Sequence, residues 1–210
     1  MLIRVLPFAA FAGVTLFQGR LGDHSQYWVY ALKTALGALM LWFARPYVKE
    51  MRWKFSWEAL LTGFVVFLAW IGLEGYYPLL TGREAAFNPV RHYGAGSFMA
   101  VFFIAVRAAG SSLVVPPLEE VFYRSFLYRY LIKSDFLKIP LERFQWRAFL
   151  VAGLVFGLGH YEWLPGILCA FAYQGLVCRK DRLGDAITAH AITNFLLAIW
   201  VVSRDAYYFW

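Results

Sequence analysis

Three short strings hold the side chains best suited to acid–base chemistry in this chain: Glu119-Glu120-x-x-x-Arg124, Phe156-x-x-x-His160 and His190-x-x-x-Asn194. A carboxylate or an imidazole can take a proton from water, and imidazole and carboxamide N–H groups can hold a developing oxyanion. Pro117 suits a first helical position, because it has no N–H to leave unpaired there. Glu119 and Glu120 then fall in the first turn, where the helix dipole favours carboxylates. Glu120 and Arg124 lie four apart, share a face and can pair. Glu119 is turned about 100° from that face. It is therefore the unpaired carboxylate and the candidate general base, with Phe122 and Tyr123 beside it to keep it dry. His190 and Asn194 are also four apart, so both can point donors at one spot.

These strings need a scaffold that brings them together, and the composition says what kind. The 210 residues are 61% hydrophobic, 20% aromatic and only 16% charged, with a mean hydropathy of +0.55. A soluble domain is about 45–50% apolar and about 25% charged, and one buried core does not absorb the excess. This excludes a soluble enzyme, a secreted disulfide scaffold and a disordered chain. The fold class expected is all-α, a polytopic membrane bundle of about eight transmembrane helices. The net charge of +7 comes mostly from Lys and Arg between apolar runs. Basic loops and lipid headgroups account for it without nucleic acid. Cys169 and Cys178 are nine apart, face opposite sides of one helix and do not suggest a disulfide.

The expected spans cover residues 2–17, 27–47, 57–73, 97–115, 118–133, 146–161, 165–178 and 185–202. A polar loop fills 74–96, and Pro116–Pro117 is expected to break the chain between the fourth and fifth spans. That break would lie below the membrane surface, lowering Glu119 to the depth of His190 and Asn194. Gly153, Gly157 and Gly159 would let another helix approach closely. The basic loops 45–54, 133–147 and 179–182 fall on both sides of a strict eight-span topology, so orientation stays open. The chain reads as one domain over 1–210, with a motif-bearing core at about 97–202 and N-terminal transmembrane helices in 1–96.

In this order and spacing the three strings resemble the CAAX-prenyl-protease and bacteriocin-processing membrane proteins, also called the Abi or type II CAAX endopeptidase family. The resemblance is carried by Glu119–Asn194 alone. It implies an intramembrane endopeptidase that cuts a peptide bond near the C-terminus of a membrane-associated protein or peptide. It implies Glu119 and His160 as activators of water, and His190 with Asn194 as the oxyanion site. Glu120, Arg124 and Phe156 would support that site structurally. The small size is similar to bacterial members, which implies a multi-pass protein of the bacterial inner membrane.

Other readings of the same residues stand beside this one. Glu119, His160 and His190 could instead hold a zinc ion, which needs three protein ligands and an open position. No His-Glu-x-x-His pair is present to favour it. The fold could belong to a non-catalytic immunity or scaffold protein, or to a transporter relaying protons through Glu119 and the histidines. Arg107 could pair with Glu119 or Glu120, but a structural role is expected of it. Lys33, Glu58, Glu74 and Glu162 are expected to snorkel from helix ends. Ser111, Ser112 and Cys169 lack a base that would make them nucleophiles.

Overall fold

A computed structural model describes residues 1–79 and 87–210. Eight helices form among them, and no strand: α1 (Leu2–Thr15), α2 (Ser25–Ala44), α3 (Trp57–Gly72), the short α4 (Pro89–Tyr93), α5 (Phe98–Ile132), α6 (Trp146–Leu158), α7 (Trp163–Lys180) and α8 (Leu183–Ser203). Of these, α2, α5 and α8 are long and apolar enough to cross a membrane. Trp57 is 80% exposed and Phe98 79% exposed on the outside of the bundle, which suits hydrocarbon and interface rather than water. The polar loop expected over 74–96 lies partly outside the described residues.

The largest departure from expectation is α5. Pro116–Pro117 does not end a helix; one 35-residue helix runs through both prolines. Two π-helical stretches make this possible, Gly110–Val114 and Val121–Leu127, with one α-helical piece, Val115–Glu120, between them. In the first, the Val115 N–H reaches back five residues to the Gly110 carbonyl. The Ser111 carbonyl is thereby left without a helical donor, since the residue five beyond it is Pro116, which has no N–H. Asn194 Nδ2 of α8 donates to that carbonyl at 2.8 Å. Proline ends helices in water, but among packed membrane helices a neighbour can satisfy the freed carbonyl.

Continuity of α5 also reorders the ends. Seven helices (all but α4) alternate in direction through the bundle. One end gathers the turns after α2, α5 and α7: Lys54 N–H donates to Gly184 O at 3.3 Å, and Lys180 pairs with Glu58 at 2.9 Å. Arg4 reaches Glu50 at the same end, at 2.7 Å. The other end joins the α1–α2 turn to the segment before α4 through Tyr27 Oη, which donates to Asn88 O at 3.0 Å. The basic loops 45–54, 133–147 and 179–182 therefore share one end, whereas eight strict spans would have divided them.

Helix α8 lies at the centre, buried at every residue from Leu183 to Ala191. It runs parallel to α3, and a Cβ on Gly63 would sit 2.5 Å from the Ala189 carbonyl. Helices α6 and α7 form a hairpin pressed together at two glycines, Gly153 against Phe171 and Gly157 against Ile167. Gly159 does not contribute as expected, because its nearest neighbour is the Phe156 carbonyl of its own turn, at 3.3 Å. Overpacking in such a contact costs about 1–3 kcal/mol. Gly157→Val is accordingly expected to lower the melting temperature in detergent micelles, and Gly159→Ala to leave it near wild type.

Candidate active site

The four residues singled out from the sequence line one cavity of about 430 Å³. Glu119 comes from the middle of α5, and His190 and Asn194 come from the third and fourth turns of α8. His160 stands just beyond the end of α6, in the turn that leads to α7. The α5–α6 hairpin brings Glu119 and His160 to one depth, each about 13 residues from the basic end of its helix, or about 20 Å at 1.5 Å per residue.

Phe156-x-x-x-His160 has a local reason for its spacing. At the end of α6 the Phe156 carbonyl accepts from the Gly159 N–H at 3.2 Å and keeps a second lone pair free. His160 Nδ1 lies 2.8 Å from the carbonyl of Phe156, one turn back at the end of α6. A carbonyl only accepts, so Nδ1 carries the proton and the neutral ring keeps its lone pair on Nε2. The imidazole also meets the edge of Trp70, with ring centroids 5.8 Å apart. Phe156 itself is buried, 4.7 Å from the His160 ring and 4.9 Å from Tyr123, with the Arg124 guanidinium 4.3 Å over its face. It builds the cavity wall and takes no part in proton transfer.

Glu120 does more than the helical spacing suggested. One oxygen, Oε2, faces Arg124 Nε at 3.2 Å, with both side chains buried. The other, Oε1, meets His190 Nδ1 at 2.9 Å. The carboxylate therefore orients an imidazole as well as neutralising an arginine, as a buried carboxylate orients the base of a hydrolytic triad. Tyr173 stacks on the other side of the His190 ring at 5.3 Å. His190 Nε2 then lies 4.0 Å from Glu119 Oε2, a buried oxygen that has no hydrogen-bond partner. Glu119 is the unengaged carboxylate of the pair.

Asn194 is half-buried, and one of its amide hydrogens serves the Ser111 carbonyl. The second hydrogen remains for a ligand, so the residue both completes α5 and lines the cavity. Thr193, beside it, donates to Gly63 O at 2.8 Å and so accepts from Tyr173 Oη at 2.7 Å. This locks the turn of α8 that presents Asn194. Tyr173, Trp70 and Thr193 had no sequence signal, since each acts by touching a residue distant in the chain.

One expectation about a cation changes, and one open alternative closes. Lys33 does not snorkel; it is buried, lines this cavity and donates to Thr15 Oγ1 at 2.9 Å. Arg107 does not pair with Glu119 or Glu120; it lines the same cavity and lies 4.4 Å over the Tyr30 ring and 5.3 Å over Phe87. Of the expected snorkelling carboxylates, Glu162 is buried and accepts from Tyr77 Oη at 2.5 Å.

The zinc alternative asks three side chains to close on one ion. Among the described residues no group of three or more His, Cys, Asp or Glu converges that way. Glu119, His160 and His190 face a shared space without forming such a group.

Comparison with known proteins adds one finding. The model of a family described as "Type II CAAX prenyl endopeptidase Rce1-like" matches residues 97–196, which include α5, α6, α7 and all three motifs. No curated protein and no solved structure matches the chain.

Proposed function

Residues 97–196 belong to the Rce1-like type II CAAX prenyl endopeptidase family, and from that premise we propose that this chain is an intramembrane endopeptidase that activates water with Glu119 and His160. The reading rests on one observation: Glu119, His160, His190 and Asn194, from two helices and one turn, line a single cavity. Glu119 takes a proton from a water molecule that also donates to the bare His160 Nε2. The hydroxide attacks the scissile carbonyl. The tetrahedral oxyanion accepts from His190 Nε2–H and from the second Asn194 Nδ2–H. The C–N bond then breaks, and Glu119 returns the proton it took to the leaving amine.

His190 can donate at Nε2 while Nδ1 donates to Glu120 only as an imidazolium. Glu120 Oε1, 2.9 Å from Nδ1, is placed to accept there.

The chain is proposed to act in a membrane as a multi-pass protein, with a membrane-associated protein or peptide as substrate. Its basic end, bearing Arg45, Lys49, Arg52 and Lys54, Lys133 and Lys138, and Arg179, Lys180 and Arg182, is assigned to the cytoplasm by the positive-inside rule. The opposite described loops carry fewer basic residues, Arg20, Arg91 and Arg204.

The test compares membrane proteomes of cells carrying the wild-type chain and Glu119→Ala. An intact precursor accumulating only with the variant identifies the substrate. Identical protein termini throughout would return the chain to the non-catalytic reading. Once a substrate is in hand, cleavage is expected to survive chelator treatment. Loss reversed by added zinc would replace this scheme with a metal-dependent one.

A further inference from the structure

We infer that a groove at the basic end of the bundle binds one anionic phospholipid of the leaflet at that end, with its phosphate on Arg45 and Arg52 and an acyl chain along the groove. The groove has a volume of about 1250 Å³ and lies between the last turns of α2, the turn that follows and the middle of α5. It shares no lining residue with the cavity that holds Glu119 and His160. The lipid site therefore stands independently of the endopeptidase reading.

Its charge is all at one end. Arg45 and Arg52 line the groove where α2 gives way to the turn, and both are exposed. Leu113, Val114 and Pro117 of α5 line it further in. A Cβ on Gly37 would lie 3.0 Å from Val114 Cγ1, so Val114 is level with Gly37. Gly37 precedes Arg45 by eight residues, about 12 Å of helix. The groove is thus elongated along α2, cationic at one end and apolar at the other. Leu113 is 60% exposed, which opens the apolar end sideways to hydrocarbon and gives an acyl chain its way in.

Nothing inside the protein answers that charge. Among the described residues neither Arg45 nor Arg52 has a carboxylate partner. The carboxylates nearest in sequence are taken, Glu50 by Arg4 and Arg129 and Glu58 by Lys180. A guanidinium presents paired donors that match a phosphate. Trp42 and Tyr47, exposed beside the arginines, have amphipathic rings suited to headgroup level. A soluble anion would leave the apolar end bare, and an uncharged lipid would leave two arginines unanswered. An anionic phospholipid satisfies both ends. It would also pack behind the site: Val114 and Pro117 line the groove, while Ser111, Val115 and Glu119 of the same stretch of α5 line the catalytic cavity.

The test offers the whole chain, in detergent micelles, phosphatidylglycerol or phosphatidylcholine of the same acyl chains, and then inorganic phosphate as competitor. Binding is read by native mass spectrometry and by melting temperature, neither of which needs peptidase activity. Charge-assisted hydrogen bonds are worth roughly ten- to a hundredfold, so wild type is expected to retain one phosphatidylglycerol over phosphatidylcholine by that factor and to melt higher with it. Arg45→Gln with Arg52→Gln should abolish the preference. Lys49→Gln with Lys133→Gln removes the same charge from the same end but outside the groove, and should keep it. Ala38→Trp fills the apolar part from an exposed position; it should lose the lipid with both arginines in place and a lipid-free melting temperature near wild type. Equal retention of the two lipids by wild type, or equal loss in the two double variants, reduces the basic end to diffuse charge and overturns the site. Displacement of the lipid by inorganic phosphate, or wild-type retention by Ala38→Trp, leaves an anion site without a chain and overturns the lipid.

Discussion

Glu119→Gln is expected to reduce kcat by about 10³, within the range of about 10²–10⁴ that general-base catalysis supplies, while KM and the melting temperature stay near wild type. The substitution keeps shape and volume and removes only the ability to accept a proton. The fold should not register it, because Glu119 Oε2 has no hydrogen-bond partner and the nearest charged neighbour, His190 Nε2, is 4.0 Å away. An effect confined to kcat marks a group used in the transition state rather than in substrate binding. Retention of more than about a tenth of the wild-type rate would remove Glu119 from the role of base. A lowered melting temperature with unchanged kcat per folded molecule would assign it to structure. The same variant separates protease from transporter: proton-coupled flux lost without any cleavage in wild type would favour the relay.

The site was legible in the sequence to the extent that its parts are local. Glu120 and Arg124 meet because four residues on a helix return to one face, and the ion pair forms even within the π-helical stretch Val121–Leu127. His160 meets the Phe156 carbonyl for the same reason at a helix end. Contacts between distant segments were not legible. Glu120 touches His190 across 70 residues of chain, so a carboxylate read as merely neutralised turned out to orient the imidazole. Continuity of α5 depends on Asn194, 83 residues beyond the carbonyl it satisfies. A rule about proline that looks only at neighbours in sequence therefore broke the helix in two. The misplaced break also obscured the topology, since one crossing too many divides loops that share an end. Lys33 was expected to snorkel because that is the usual fate of a long cation. Only the packing of α2 on α5 at Gly110 shows that it and Arg107 both turn toward the cavity.

Removing Arg124 should destabilise the fold more than any other single substitution around the cavity. Arg124→Met leaves the Glu120 carboxylate at 0% exposure with only His190 to answer it, and breaking a buried pair in this way costs about 3–5 kcal/mol. The loss is read as a lowered midpoint for unfolding in mixed detergent micelles. Glu120→Leu combined with Arg124→Met should recover most of it, since apolar replacement of a whole buried pair is often near neutral; failure to recover would mean that the pair does more than balance charge. Glu120→Gln then asks what His190 does. Arg124 only donates, so the new amide must turn its oxygen to Arg124 and its NH₂ to His190 Nδ1. That leaves a neutral ring with its proton on Nε2. An oxyanion donor survives this exchange with about a tenfold loss, the difference between a charged and a neutral hydrogen bond. A base acting through Nε2 does not survive it, because the lone pair is gone, and the loss would reach about 10²–10⁴. The size of the kcat change in Glu120→Gln, measured beside its melting temperature, therefore decides whether His190 holds the oxyanion or shares the proton with Glu119.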